Sequence, residues 1–217
     1  MRRHGPTLAP IVLLALALAG CGTLPLPGTA PADLYDLSPK NTFSADLPEV
    51  RWQLVIEEPV ATSSVNTSRI ALKPSNLEVR YFADAQWVDR APKMIQSLLV
   101  ESFENSDRIT SVGRQAVNLT SDFRMMGTLR EFQAEYVKLG DIPEIRVTLN
   151  LKLVREPQGQ IVAARTFEER VMAETNTMPD IVHAFDRALG SVLKSSVEWA
   201  LRAMKDIGVP EKSRTPA

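Results

Sequence analysis

A chain of 217 residues, 44% apolar and 24% charged, is sized for one ordinary domain with tails, and its formal net charge of -1 gives no reason to expect nucleic acid or a strongly acidic substrate. A single cysteine, Cys21, excludes an internal disulfide and a multi-cysteine zinc site. Two histidines, His4 and His183, argue against a histidine-rich metal centre.

The N-terminus reads as a secretory signal. Arg2 and Arg3 supply a basic start, and Ile11 to Ala19 is an apolar run about half the length of a membrane-spanning helix. The twin arginines lack the rest of a Tat pattern and serve as simple basic charge. Leu18-Ala19-Gly20-Cys21 resembles the bacterial lipobox. That resemblance implies a diacylglycerol on the Cys21 thiol, cleavage before it, and acylation of the new amine, with palmitate as the implied chain. An ordinary signal peptide that happens to hold a cysteine is the competing reading, and four matching positions weigh against it. Each buried CH₂ is worth about 0.8 kcal/mol, so one acyl chain holds marginally and several hold firmly. Gly22 stands where aspartate is the usual inner-membrane retention signal in enteric bacteria, which favours the outer membrane. Cleavage leaves His183 as the only histidine of the mature chain.

Residues 22–33, GTLPLPGTAPAD, predict an extended tether following the lipidated cysteine. LYDLS at 34–38 reads as a short first strand, with an irregular stretch to residue 50. Trp52, Leu54 and Ile56 share one face of a strand ended by Pro59. TSSVNTS is a polar loop, RIALK a short strand and PSN a turn. In 77–82, Leu77, Val79 and Tyr81 alternate with Glu78, Arg80 and Phe82, which predicts a strand with one apolar face and an aromatic on the other. Pro92 suits a first helical turn with Asp89 as N-cap. Met94, Ile95, Leu98, Leu99 and Phe103 then carry the helix to about Asn105. RITSVG reads as a strand.

The next section has antiparallel character. Phe123, Met125 and Leu129 alternate, then the phase moves to Phe132, Ala134 and Tyr136, as a bulge near Leu129–Phe132 would cause. Ile145, Val147, Leu149, Leu151 and Leu153 face inward against Arg146, Thr148, Asn150 and Lys152. REPQGQ turns the chain, and IVAARTFEERVMAE returns as the partner strand. Thr177 as N-cap, Pro179 in the first turn and Asp180 open a last helix, whose apolar period runs from Val182 to Met204. Gly190 inside it costs about 1 kcal/mol relative to alanine and suggests close packing. The order of elements predicts a single α/β (α+β) domain over 34–204. It is a mostly antiparallel twisted sheet with two main helices, near 92–105 and 179–204, packed on it. Residues 1–20 are the signal peptide, 21–33 the lipidated cysteine and tether, and 205–217 a disordered tail.

A search for catalytic residues is mostly negative. No Gly-rich phosphate loop, HExxH or G-x-S-x-G occurs. His183 reads as an exposed helical residue near Asp186 and Arg187. Glu57 with Glu58, and Glu168 with Glu169, point to opposite faces of their strands and cannot share a substrate. The apolar stripe of 179–204 reads as a face packed on the sheet rather than a lipid-binding surface. Tyr81, Phe82 and Trp87 lie close together and form a candidate protein interface, with core packing as the alternative.

The same stretch carries a resemblance. Tyr35-Asp36-Leu37, LVIEEPV at 54–60, RIAL at 69–72 and LEVRYFADAQWVDRAPKMIQSLLVESFENS at 77–106 resemble the ABC-type transport auxiliary lipoproteins, the PqiC-like family. An aromatic pair after a strand, a tryptophan soon after, a proline opening a helix and an upstream lipobox fall at Tyr81-Phe82, Trp87, Pro92 and Cys21. The resemblance implies a non-catalytic outer-membrane lipoprotein that accompanies an MCE-domain protein, an ABC permease and an ATPase in lipid transport between membranes, and it allows a homo-oligomeric ring. Two other classes stay open: an envelope-assembly lipoprotein that binds other periplasmic proteins, and a lipid-anchored periplasmic enzyme. No cofactor is expected beyond the covalent lipid on Cys21.

Overall fold

Clean alternation of apolar and polar residues lays down three long strands first. In the computed structural model, which describes residues 31–114 and 121–207, these are β7 (Phe123–Glu135), β8 (Glu144–Arg155) and β9 (Gln160–Met172). They pair antiparallel in sequence order. Ile145, Val147, Leu149, Leu151 and Leu153 are all buried, as their period of two requires. The register of β7 on β8 slips between Leu129 and Glu131, which moves the inward set from Leu129 to Phe132 and Ala134. Gly159, at φ +65°, turns β8 into β9. The expected signal peptide of 1–20 and Cys21 with most of the expected tether lie outside the described residues, as do residues 208–217 of the expected tail, while 205–206 belong to the last helix.

The other edge of β7 is shared. Along its length it pairs in parallel with β2 (Val50–Ile56), then β3 (Val60–Ala61), then β4 (Arg69–Ser75). β2 carries β6 (Ile109–Arg114) outward, and β4 carries β5 (Glu78–Trp87), which in turn holds β1 (Asp33–Tyr35). The nine strands form one open sheet, mostly antiparallel in its long ladders and parallel in its short ones. Gly127 sits where Pro59 bridges β2 and β3. A Cβ there would stand 3.1 Å from Leu151 Cδ2 and 3.3 Å from Pro59 Cβ.

Two helices cover the apolar face, α1 (Ala91–Glu104) and α2 (Met178–Asp206), so the expected α+β class holds. α2 has 29 residues and is about 44 Å long. Its buried stripe, including Phe185, Leu189, Val192, Leu193, Val197 and Leu201, packs on the sheet. Gln96 of α1 donates to the Ile56 carbonyl at 2.8 Å, and Trp52 Nε1 of β2 donates to the Met204 carbonyl at 3.2 Å. Residues 36–47 run across both helices. The Ser38 N–H donates to Asp186 at 2.7 Å, the Lys40 N–H to Ser102 at 2.9 Å and the Ser44 N–H to Glu198 at 2.9 Å, while Leu37 and Leu47 are buried.

Three local expectations need correction. The N-cap of α1 is Arg90, not Asp89; Asp89 accepts the Arg90 N–H at 2.8 Å and pairs with Lys93 at 2.6 Å. Leu77 and Val79 do not form an inward face of β5, for Leu77 is 99% exposed. Two steps along β4, Arg69 to Ala71, stand against five along β5, Gln86 to Tyr81, and this bulge turns Phe82 rather than Tyr81 toward the core. Gly190 serves no close packing, because nothing lies within 4 Å of a Cβ placed there.

The two glycines therefore respond in opposite ways. Gly190→Ala is expected to stabilise the domain by up to about 1 kcal/mol. Gly127→Val is expected to cost about 1–3 kcal/mol by overpacking Leu151 and Pro59. Urea unfolding of both variants checks the pair, and a loss of stability in Gly190→Ala would show that something does pack on that helix face.

Candidate interaction surface

The aromatic trio divides between core and surface. Trp87, at the end of β5, is 1% exposed. Its ring meets Phe185 of α2 edge-on at 5.1 Å and Phe132 of β7 at 5.5 Å, and those two lie 5.0 Å apart. Edge-to-face packing of this kind adds to the burial of area. Trp87 thus joins β5, β7 and α2, and the core is where the structure places it. Phe82 is half-buried and packs against the same core. Tyr81 is half-buried on the opposite side, its hydroxyl donating to the Ser64 carbonyl at 3.2 Å and the Arg69 guanidinium lying 3.7 Å over its ring. The three do not form one patch.

Glu57 and Glu58 lie just past the end of β2 rather than in a strand, yet their side chains still part. Glu57 pairs with Arg124 at 3.1 Å, while Glu58 turns away to Arg90 at 2.8 Å. On the solvent face of β7–β9, Arg146 meets Glu131 at 2.7 Å and Glu168 at 3.2 Å, and Arg170 meets Glu144 and Glu168, both at 3.1 Å. The Arg170 hydrogen bond, with Arg146 beside it, holds the Glu168 carboxyl below its ordinary value. Each carboxylate has a guanidinium partner, so the lattice reads as a solvated, self-neutralising face rather than a binding site. His183 is exposed on α2. Asp180, one turn before it, is lowered by the Thr175 hydroxyl first and by that of Thr177 next. Among the described residues no group of His, Cys, Asp and Glu is placed to hold a metal ion. None of their helices is long and apolar enough to cross a membrane.

One surface had no sequence signature. Within the described residues β9 pairs only with β8, leaving the backbone of a 13-residue strand unpaired along its outer edge. Beside that edge an open groove of about 370 Å³ runs between β9 and α2, lined by Arg165, Glu198, Trp199, Arg202 and Asp206. Trp199 stands edge-on to Phe167 at 5.6 Å, and Arg165 lies 5.2 Å over that same ring. The β9 pair and the α2 residues are about thirty positions or more apart in the chain, and only the packing of α2 on β9 brings the two groups together. The groove and edge can dock an extended segment or another sheet edge.

Residues 35–195 match the model of a family described as the ABC-type transport auxiliary lipoprotein component. The match covers most of the chain, and the chain belongs to that family. It is 28% identical over 180 residues to the uncharacterized protein bll6063 of Bradyrhizobium diazoefficiens, a match that covers 82% of this chain and 47% of that one. The chain therefore spans about half the length of that curated relative. The crystal structure of protein XCC0632 from Xanthomonas campestris, assigned to DUF330, superposes with a TM-score of 0.76 at 27% identity, covering 81% of this chain and 98% of that chain. A second crystal structure, of an uncharacterized protein, has a TM-score of 0.57 at 15% identity over 82% of this chain and 100% of that chain, and it shares the fold. The family is one of auxiliary transport components, and its lipoprotein character points to the cell envelope.

Removing the Trp87 ring should be felt by the whole domain. Trp87→Ala is expected to cost about 3–5 kcal/mol, whereas Tyr81→Phe, which removes one partly exposed hydrogen bond, should cost about 1 kcal/mol or less. Thermal melts of both variants test this, and a Trp87→Ala protein as stable as wild type would contradict the buried placement.

Proposed function

We propose that this member of the transport auxiliary lipoproteins is a non-catalytic, lipid-anchored component of an MCE/ABC-type intermembrane lipid transport system, fixed to the outer membrane and facing the periplasm. One observation carries the reading: the family match begins at Tyr35, downstream of Leu18–Cys21, which resembles a lipobox, and of a proline-rich stretch. Cys21 carries the acyl chains, and several chains on one residue anchor firmly where one would not. The tether gives the folded domain reach, and the domain binds the periplasmic end of an MCE-domain protein whose permease and ATPase stand at the inner membrane. Copies of the chain assemble into a ring through sheet edges and the groove beside β9, not through Trp87, which the monomer core already occupies. The self-paired charges of the β7–β9 face and the exposed position of His183 support a scaffold rather than a catalyst.

Mass spectrometry of the membrane-bound protein should find Cys21 as the lipidated first residue, and Cys21→Ser should yield an uncleaved or unlipidated protein. Affinity purification of the lipidated wild type from its own cell should recover an MCE-domain protein. Cys21 unmodified in the membrane form would remove the anchor. Correct lipidation without any MCE component would remove the transport assignment and leave an envelope-assembly role.

A further inference from the structure

Two hairpin tips at one end of the sheet hold apolar side chains in the open. β4 and β7 run parallel, with Ala71–Lys73 beside Gln133–Glu135, so the turn after β4 and the loop after β7 leave the sheet at the same end. β9 also finishes there, Met172 opposite Glu144. Leu77 is 99% exposed and Val137 101%, while Val79, Leu139, Ile142 and Met172 lie between 40% and 56%. The opposite end of the β8–β9 hairpin turns through Glu156, Pro157, Gln158 and Gly159; toward that end Leu34, Val88, Met126 and Ile161 are also exposed, but they sit on separate segments rather than on paired hairpin tips.

The tip loop is braced. The Tyr136 N–H donates to the Lys73 carbonyl at 2.9 Å, the Tyr136 hydroxyl to Asn176 at 2.9 Å, and Asn176 Nδ2 to the Gly140 carbonyl at 3.1 Å. The Asp141 N–H closes the turn on the Lys138 carbonyl at 3.0 Å, and Gly140 takes φ +102°. A frame of this kind holds Val137, Leu139 and Ile142 outward when local collapse would cover them. Exposed apolar residues gathered at one end of a domain mark a contact site.

The direction of chain entry identifies what they contact. β1 is parallel to β5, with Asp33 beside Ala85 and Tyr35 beside Trp87. At Asp33 the chain therefore enters the sheet from the side of the tips. Six residue steps separate Ala85 from Val79, at most about 20 Å. Cys21 lies twelve residues before Asp33 and can be about 40 Å away when extended. An anchor at Cys21 thus has length to spare for the tips to reach the same membrane. Lys138, exposed between Val137 and Leu139, can lie along the apolar surface and keep its ammonium among the headgroups.

We propose that this end is a membrane-contact face: the tips carrying Leu77, Val79, Val137, Leu139 and Ile142 enter the interfacial layer of the bilayer to which Cys21 is tethered, and stand the sheet upright on it. The proposal rests on the lipid-anchored reading above. The full chain has one cysteine, so maleimide lipid couples it to vesicles through Cys21 whether or not a cell lipidates that residue. The vesicles are phosphatidylethanolamine and phosphatidylglycerol with brominated acyl chains, which quench tryptophan at short range. Leu139→Trp places a probe on the tip and Gln158→Trp one at the opposite end, both at exposed positions; unchanged melting temperatures confirm that each folds. Added emission from Leu139→Trp is expected to fall several-fold on the brominated vesicles and to shift to the blue, with Gln158→Trp behaving as in buffer. Equal quenching of the two overturns the proposal. A blue shift of Leu139→Trp that grows with protein concentration without lipid overturns it too, and assigns the tips to a second copy. Failure of Cys21 lipidation in the cell leaves this measurement untouched, so the two readings fail separately.

Discussion

A strand placed in the middle of a sheet must find partners for the backbone groups of both its edges, because a buried amide or carbonyl left unpaired costs as much as a lost hydrogen bond. β7 imposes this demand over 13 residues. β8 satisfies one edge along its whole length in one ladder broken only by the bulge between Leu129 and Glu131. The other edge is filled piecewise by β2, β3 and β4, three short strands laid end to end by one stretch of chain. That arrangement fixes much else. Pro59 must cross β7 between β2 and β3, and Gly127 is the residue that leaves it room. β2 and β4 are held apart along the same line, so the strands beyond them, β6 on one side and β5 with β1 on the other, fan from different stations.

The two faces of the long strands obey different physics. The inner face is a dry stack of Ile, Val, Leu and Phe covered by α2, and its stabilisation scales with area removed from water. The outer face carries Arg146 and Arg170 among Glu131, Glu135, Glu144 and Glu168. Exposed pairs of this sort contribute little each. They also place charge along β8 and β9, which discourages unspecific pairing at the free edge. An edge guarded by charge yet flanked by the Trp199–Arg165 groove is suited to a selective partner.

What could be read from the residues depended on whether the determining interaction was local. The alternation from Ile145 to Leu153 marked β8 because every second side chain meets the core. The phase change at Leu129 marked the bulge, and the apolar stripes located both helices. The parallel seating of β2, β3 and β4 on β7 was not legible, since it is set by contacts between distant segments. The exposure of Leu77 and Val79 was hidden for a related reason: alternation shows that two faces differ, not that the strand has run past the body of the sheet. Trp87 was ambiguous because tryptophan is favoured both in cores and in interfaces, and only the positions of Phe132 and Phe185 decide the matter. Asp89 missed the cap by one residue, since its carboxylate is engaged by Lys93 and the Arg90 N–H.

The way the chain enters the domain has a mechanical consequence. Tension along the segment before Asp33 pulls parallel to the β1–β5 ladder, so its hydrogen bonds are loaded together in shear rather than opened one at a time. Behind β1 lies the strap of residues 36–47, tied to α1 at Ser102 and to α2 at Asp186 and Glu198. A tug that slid β1 free would next have to lift Leu37 and Leu47 out of the core and break those three ties in succession. The domain is thus built like a cleated rope, whose fastening shares a load among many small holds before any of it reaches the central sheet.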